Sequence, residues 1–235
     1  MVSDNHRNGT TDEKPAQNEY WKICILGDMS VGKTALADGF LGRTFDPEEE
    51  TSRSRTEDHM TKLLNQDGRS CAVQVFDPID TDPSEPLVFH PGEGIEEADA
   101  FVLLYSVTSR GSFDRLISFH SLISAHHPQS KHKDGRPVPV ILVGNMCDMD
   151  QADPNAREVT TDDGQALADK WGCKFYETSA KDMHNVDRVF SDLLRDARMN
   201  YHDGKGKERE REGQQSDGVE EDKHGECCGC ECVVM

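Results

Sequence analysis

No run of about 18 apolar residues occurs anywhere in the 235-residue chain, so the sequence offers no helix able to span a bilayer. Residues 1–17 are polar and lack the apolar stretch of a secretory leader. Basic residues are scarce relative to acidic ones: 26 Lys and Arg stand against 45 Asp and Glu, for a net charge of −19. A surface of that sign is unsuited to a phosphate backbone, so general nucleic-acid binding is not expected. No internal repeat is present. The cysteines lack the distribution of a disulfide framework: Cys24, Cys71, Cys147 and Cys173 are scattered, whereas Cys227, Cys228, Cys230 and Cys232 crowd the last nine residues. A reducing compartment is expected.

The length leaves room for one domain of ordinary size with tails. Residues 1–18 and 200–235 are expected to be disordered, because they are rich in polar and charged residues and hold few apolar ones to bury. A folded domain over 19–199 remains. Apolar runs of strand length recur at 21–26, 71–76, 100–107 and 138–143, with a shorter one at 174–176. Residues 60–64, followed by the turn signal Asp67-Gly68, are expected to pair with 71–76 as a hairpin. Helical patterns cover 33–41, 112–125, 161–171 and 186–199; Thr160 or Thr161 is placed to cap the third and Gly172 to close it. Strands alternating with helices predict an α/β fold, a mostly parallel sheet covered on both faces, with ligands at the carboxyl ends of the strands.

Gly27-Asp28-Met29-Ser30-Val31-Gly32-Lys33-Thr34 fits G-x-x-x-x-G-K-[ST] and stands after an apolar strand, opening a helix. In such a P-loop, successive backbone N–H groups and the helix N-terminus form a concave donor surface for phosphate oxygens. Lys33 would add charge at the β- and γ-phosphates, and the Thr34 hydroxyl would ligate Mg²⁺.

Two further motifs carry a family resemblance. Asn145-Met146-Cys147-Asp148, at the end of an apolar strand, resembles N-K-x-D, and Glu177-Thr178-Ser179-Ala180-Lys181 matches the S-A-K motif. With the P-loop, in this order and spacing, the chain resembles the Ras-family small GTPases over about 20–198, most of all at 157–181. The resemblance implies a P-loop nucleotide-binding fold that takes GTP or GDP with Mg²⁺. A carboxylate beside the base accepts both N1–H and N2–H of guanine, which makes Asp148 the residue expected to select it. By resemblance Asn145 braces the site, Ser179 and Ala180 approach the guanine carbonyl, Lys181 packs near the base, and Phe45 lies against the ring. Met146 replaces the family lysine that lies along the nucleotide, so weaker binding is expected.

The switch regions depart further. Among Thr51, Ser52 and Thr56, Thr51 is taken as the switch I ligand of Mg²⁺, and Asp77 as a second ligand acting through water. Asp80 stands where the family has the switch II glycine, and Thr81 where it has the Gln that orients the attacking water. Pro78, Pro83, Pro86 and Pro91 shorten or abolish a switch II helix. Met29 replaces a P-loop glycine of Ras and projects toward the place an arginine finger enters. Slow hydrolysis is the expectation, and no residue is singled out as catalytic.

The chain ends Cys232-Val233-Val234-Met235, a C-a-a-X sequence that favours farnesylation of Cys232. One lipid gives marginal residence on a membrane, so Cys227, Cys228 and Cys230 are expected to be palmitoylated, the basic residues of the tail being interleaved with acids. The whole predicts a monomeric signalling switch on the cytosolic face of the plasma membrane or an endomembrane. Its expected partners are effectors, with an exchange factor or GTPase-activating protein. A non-cycling scaffold that signals by partner binding is the alternative.

Overall fold

The computed structural model describes residues 19–43, 61–76, 95–127, 136–149, 153 and 155–201. Six strands form one sheet in the order β2-β3-β1-β4-β5-β6: β1 Glu19–Gly27, β2 Thr61–Gln66, β3 Arg69–Phe76, β4 Ala100–Ser106, β5 Val140–Asn145 and β6 Lys174–Glu177. Only β2 runs antiparallel to its neighbour, through the expected hairpin at Asp67 and Gly68. The helices are α1 Lys33–Leu41, α2 Arg110–Asp114, α3 Leu116–His126, α4 Thr161–Trp171 and α5 Val186–Asn200. The predicted mostly parallel sheet with helices on both faces is the observed one. None of these helices is long and apolar enough to cross a membrane.

Period-two alternation divides the core between the faces. Ile23, Ile25, Val102, Leu104, Ile141 and Val143 point to one side and meet Leu36, Phe40, Phe190 and Leu193 of α1 and α5. Cys24, Leu26, Phe101, Leu103 and Leu142 point to the other and meet Phe119, Ile123 and Ala168 of α3 and α4. All seven residues of β4 are buried, which is why that strand reads as a continuous apolar run.

Two element boundaries differ from expectation. The helix predicted over 112–125 starts at Arg110, because Ser109 caps it through Ser112 N–H, and it breaks into two at Arg115. The fifth strand starts at Val140 instead of residue 138. Pro139, next to it, has no N–H to give the ladder and contributes only its carbonyl, which accepts from Phe101 N–H at 2.9 Å. At α4, Thr160 is the cap, in a reciprocal box with Asp163, and Gly172 closes the helix in the left-handed region.

Strand order reverses around β1, whose neighbours are β3 and β4, so the carboxyl ends of β1, β4, β5 and β6 open onto one crevice.

Candidate functional site

At its carboxyl end β1 passes so close to β4 that a Cβ on Gly27 would stand 2.3 Å from the Leu104 carbonyl oxygen; only glycine fits there. The chain then turns through Ser30 (φ 60°) and Gly32 (φ 92°) into α1, whose N-terminus has no side-chain cap. A helix N-terminus built this way presents backbone amides and the positive end of its dipole to the crevice. Lys33 is buried, and its ammonium donates to the carbonyls of Gly27 (3.1 Å) and Asp28 (3.0 Å), which fixes it across the loop. Met29 N–H donates to Asp28 Oδ1 at 3.0 Å, while the Met29 side chain is 48% exposed. The remaining loop residue, Val31, is buried in the core. Thr34 is half-buried in the first turn of α1.

Asn145 ends β5 and is 1% exposed. Its Nδ2 donates to the Val31 carbonyl at 2.9 Å, and its Oδ1 accepts from Thr178 Oγ1 at 3.1 Å and Ala180 N–H at 3.3 Å. One amide side chain therefore ties the loop after β1 to the loop after β6. The tie needs Gly32 as a neighbour, since a Cβ there would lie 2.4 Å from Nδ2. Backbone bonds reinforce it: Thr178 N–H to Gly144 O and Cys147 N–H to Thr178 O.

Beyond Asn145 the chain enters the left-handed region at Met146 (φ 66°), whose sulfur accepts from Ser106 Oγ at 3.3 Å. Asp148 is half-buried and lines an open pocket of about 490 Å³ with Cys147, Ser179, Asp182, Met183, His184 and Asn185. Ser179 is braced by Asp182 N–H on its hydroxyl and by paired backbone bonds with His184. Upstream, Glu177 is held by both Arg157 nitrogens (2.7 and 3.2 Å) and by Thr161, and its carbonyl accepts from Asn185 Nδ2.

The structure thus brings together the 27–34 loop, Asn145, Met146 and the 178–180 segment, with Asp148 on the pocket wall; Lys181 is exposed beside them. Phe45, Thr51, Asp77, Asp80, Thr81 and the cysteines Cys227, Cys228, Cys230 and Cys232 lie outside the described residues. Among the described residues no group of three or more His, Cys, Asp or Glu is arranged to hold a metal. A hydroxyl such as Thr34 at a phosphate loop fits Mg²⁺, which takes one or two protein oxygens and fills its shell with water and phosphate. The sequence reading passed over Thr178 and Arg115. The first was legible from its place inside the S-A-K segment, whereas nothing in the sequence pairs Arg115 with Asp28, 3.7 Å away.

A sequence model of the Ras family matches residues 22–199. Protein ras-2 of Neurospora crassa is 34% identical over 207 residues, covering 80% of this chain and 84% of ras-2. GTP-binding protein Di-Ras2 of Mus musculus is 34% identical over 180 residues, 77% of this chain and 83% of Di-Ras2. Human GTP-binding protein REM 1 is 31% identical over 199 residues, which is 85% of this chain and 62% of REM 1. The matched span contains the phosphate loop, the end of β5 and the loop after β6. The chain belongs to the Ras family, whose members are small GTPases.

Proposed function

We propose that the chain binds GTP and GDP, with the phosphates in the 27–34 loop and the guanine edge on Asp148, and that it works as a slow-turnover signalling switch anchored to a membrane. The observation that carries this reading is the Asn145 junction. A buried amide that bonds Val31 on one side and Thr178 and Ala180 on the other holds a phosphate-binding loop and a base-reading loop at fixed separation, which a nucleotide needs. The similarity to two proteins named as GTP-binding supports the same ligand.

In this reading Lys33 neutralises charge at the β- and γ-phosphates, Asp148 accepts from guanine N1 and N2, and Ser179 and Ala180 face its carbonyl. Lys181 and Phe45 cover the base, while Met146 offers a polarizable thioether in place of a cation. Thr34, with Asp77 and Thr51, would hold Mg²⁺, which neutralises phosphate charge when bound. Hydrolysis is slow because Thr81 has no carboxamide to orient water, Asp80 adds negative charge near the γ-phosphate, and Met29 obstructs entry of a partner arginine. Lipids on Cys232 and on Cys227, Cys228 and Cys230 keep the switch at the membrane, where it meets effectors and regulators.

The test begins with the full-length protein: bound nucleotide is extracted and identified against guanine and adenine standards, and single-turnover hydrolysis is then timed. Guanine nucleotide is expected, retained largely as GTP. Hydrolysis as fast as that of Ras refutes slow turnover. A protein that is empty and takes up no GTP·Mg²⁺ sides with the non-cycling scaffold.

A further inference from the structure

Asp28 is buried and sits on the very loop that offers its amides to an anion. A second negative charge beside phosphates opposes their binding unless something compensates it. Among the described residues two contacts hold it. Met29 N–H donates to Oδ1 at 3.0 Å, and the Arg115 guanidinium approaches the same oxygen at 3.7 Å. Both side chains are mostly shielded, Arg115 to 19% exposure and Asp28 to 9%, so salt screens the pair weakly.

Arg115 belongs to neither helix flanking it. It is the joint between α2 and α3, at the break in what the sequence predicts as one helix. Its backbone is anchored in both directions: its N–H donates to the Gly111 carbonyl at 3.1 Å, and its own carbonyl accepts from Ser118 at 3.0 Å. The guanidinium is therefore presented to the phosphate loop from a fixed point on another element.

We infer that Arg115 is a positioning residue for nucleotide binding: through Asp28 it neutralises the loop's buried carboxylate and holds the Asp28–Met29 turn, so that bound nucleotide leaves slowly. The release part of the test rests on the guanine-nucleotide reading above; the loop part does not.

Release of a fluorescent GDP from the full chain is timed for single and double variants. Arg115→Ala is expected to release it about fivefold faster, the factor that ~1 kcal/mol gives for a largely shielded ion pair. Arg115→Lys restores most of the loss. Arg115→Ala combined with Asp28→Ala releases more slowly than Arg115→Ala alone, since no carboxylate is left to compensate. A merely structural arginine would show neither the lysine rescue nor the relief by removing Asp28. Unchanged release in Arg115→Ala, or additive effects in the double variant, overturns the inference. Amide hydrogen exchange across residues 27–31, measured on nucleotide-free protein, gives the independent readout. Faster exchange in Arg115→Ala is expected and equal exchange refutes the clamp, even if the protein proves to bind no guanine nucleotide. Arg115→Gln keeps the stem of the side chain and replaces Arg115→Ala if the latter does not fold.

Discussion

Replacing Asn145 by Ala removes three hydrogen bonds at once, of 2.9, 3.1 and 3.3 Å, from a side chain that is 1% exposed. Each such bond contributes a net ~1 kcal/mol, and orphaned buried partners add to the loss. Two effects reduce the total. The Thr178 hydroxyl can rotate to another acceptor, and the space left by an amide admits a water that bridges the Val31 carbonyl and the Ala180 N–H. A destabilisation of about 2–3 kcal/mol remains, which for a domain of this size lowers the melting temperature by roughly 4–12 °C. The functional signature is separate from the stability one. Ligand bound to the native state raises stability by RT ln(1 + [L]/Kd), so weaker binding means a smaller gain. Thermal melts of wild type and Asn145→Ala, with and without excess GDP, should show the gap between them widening when GDP is present. Asn145→Asp keeps the acceptor but sets an oxygen against the Val31 carbonyl, and is expected to be no better than alanine. A gap that stays constant on adding GDP would show that Asn145 supports only the fold, and a melting temperature within 2 °C of wild type would remove the three-bond account altogether.

Two further outcomes follow from groups away from the crevice. The Tyr105 hydroxyl is buried with no hydrogen-bond partner among the described residues, and burial pushes its pKa up. Tyr105→Phe is therefore expected to be as stable as wild type or more stable by up to ~1 kcal/mol in denaturant titration; a loss of that size would mean that the hydroxyl has a partner in solution. Burial opposes ionisation of Glu19, yet hydrogen bonds from Arg198, Trp21 and Arg69 outweigh it and hold the carboxyl below its ordinary 4.5. A carboxylate with a depressed pKa in the folded state adds stability that is complete above 4.5 and fades as pH falls through the folded value. Denaturant titrations from pH 7 downward should show Glu19→Gln less stable than wild type at neutrality and the difference closing in acid. Parallel curves would contradict the linkage.

The fold was legible because its signals are local. The apolar runs of β1 and β4, the Asp67-Gly68 turn, a cap at Thr160 or Thr161 and the closing Gly172 each fix an element without reference to the rest of the chain. The turn from β1 into α1 at residues 27–34 was legible for the same reason, as spacing between glycines and a lysine. What the sequence did not disclose are contacts made across the crevice. Ser109 sets the start of α2 at Arg110 by a local cap, two residues before the predicted start at 112, whereas the break at Arg115 coincides with a reach to Asp28, 87 positions earlier in the chain, for which sequence has no grammar. The Met146 sulfur bonded to Ser106 is likewise visible only once β4 and β5 lie side by side.

These two kinds of contact bear differently on binding and on turnover. Nucleotide binding, as proposed, depends on backbone amides at the end of β1 and on Asn145 at the end of β5. Both are fixed by a sheet in which β4 is wholly buried and the carboxyl ends of β1 and β5 are too, and neither Met29 nor Met146 disturbs them: Met29 is exposed to solvent, and Met146 settles against Ser106. Hydrolysis asks for more, a water held in line and charge stabilised at the γ-phosphate as it leaves; in the proposed reading Thr81 lacks the carboxamide for the first task, and Asp80 and Met29, in place of glycines, oppose the second. The proposal thus places the loss in the transition state and leaves the ground-state contacts at the 27–34 loop and Asn145 in place. The Asn145 junction and the Asp28–Arg115 pair add to ground-state hold. A chain that works as proposed keeps its nucleotide and turns it over slowly, so that its state would be set by exchange and by partners more than by its own catalysis.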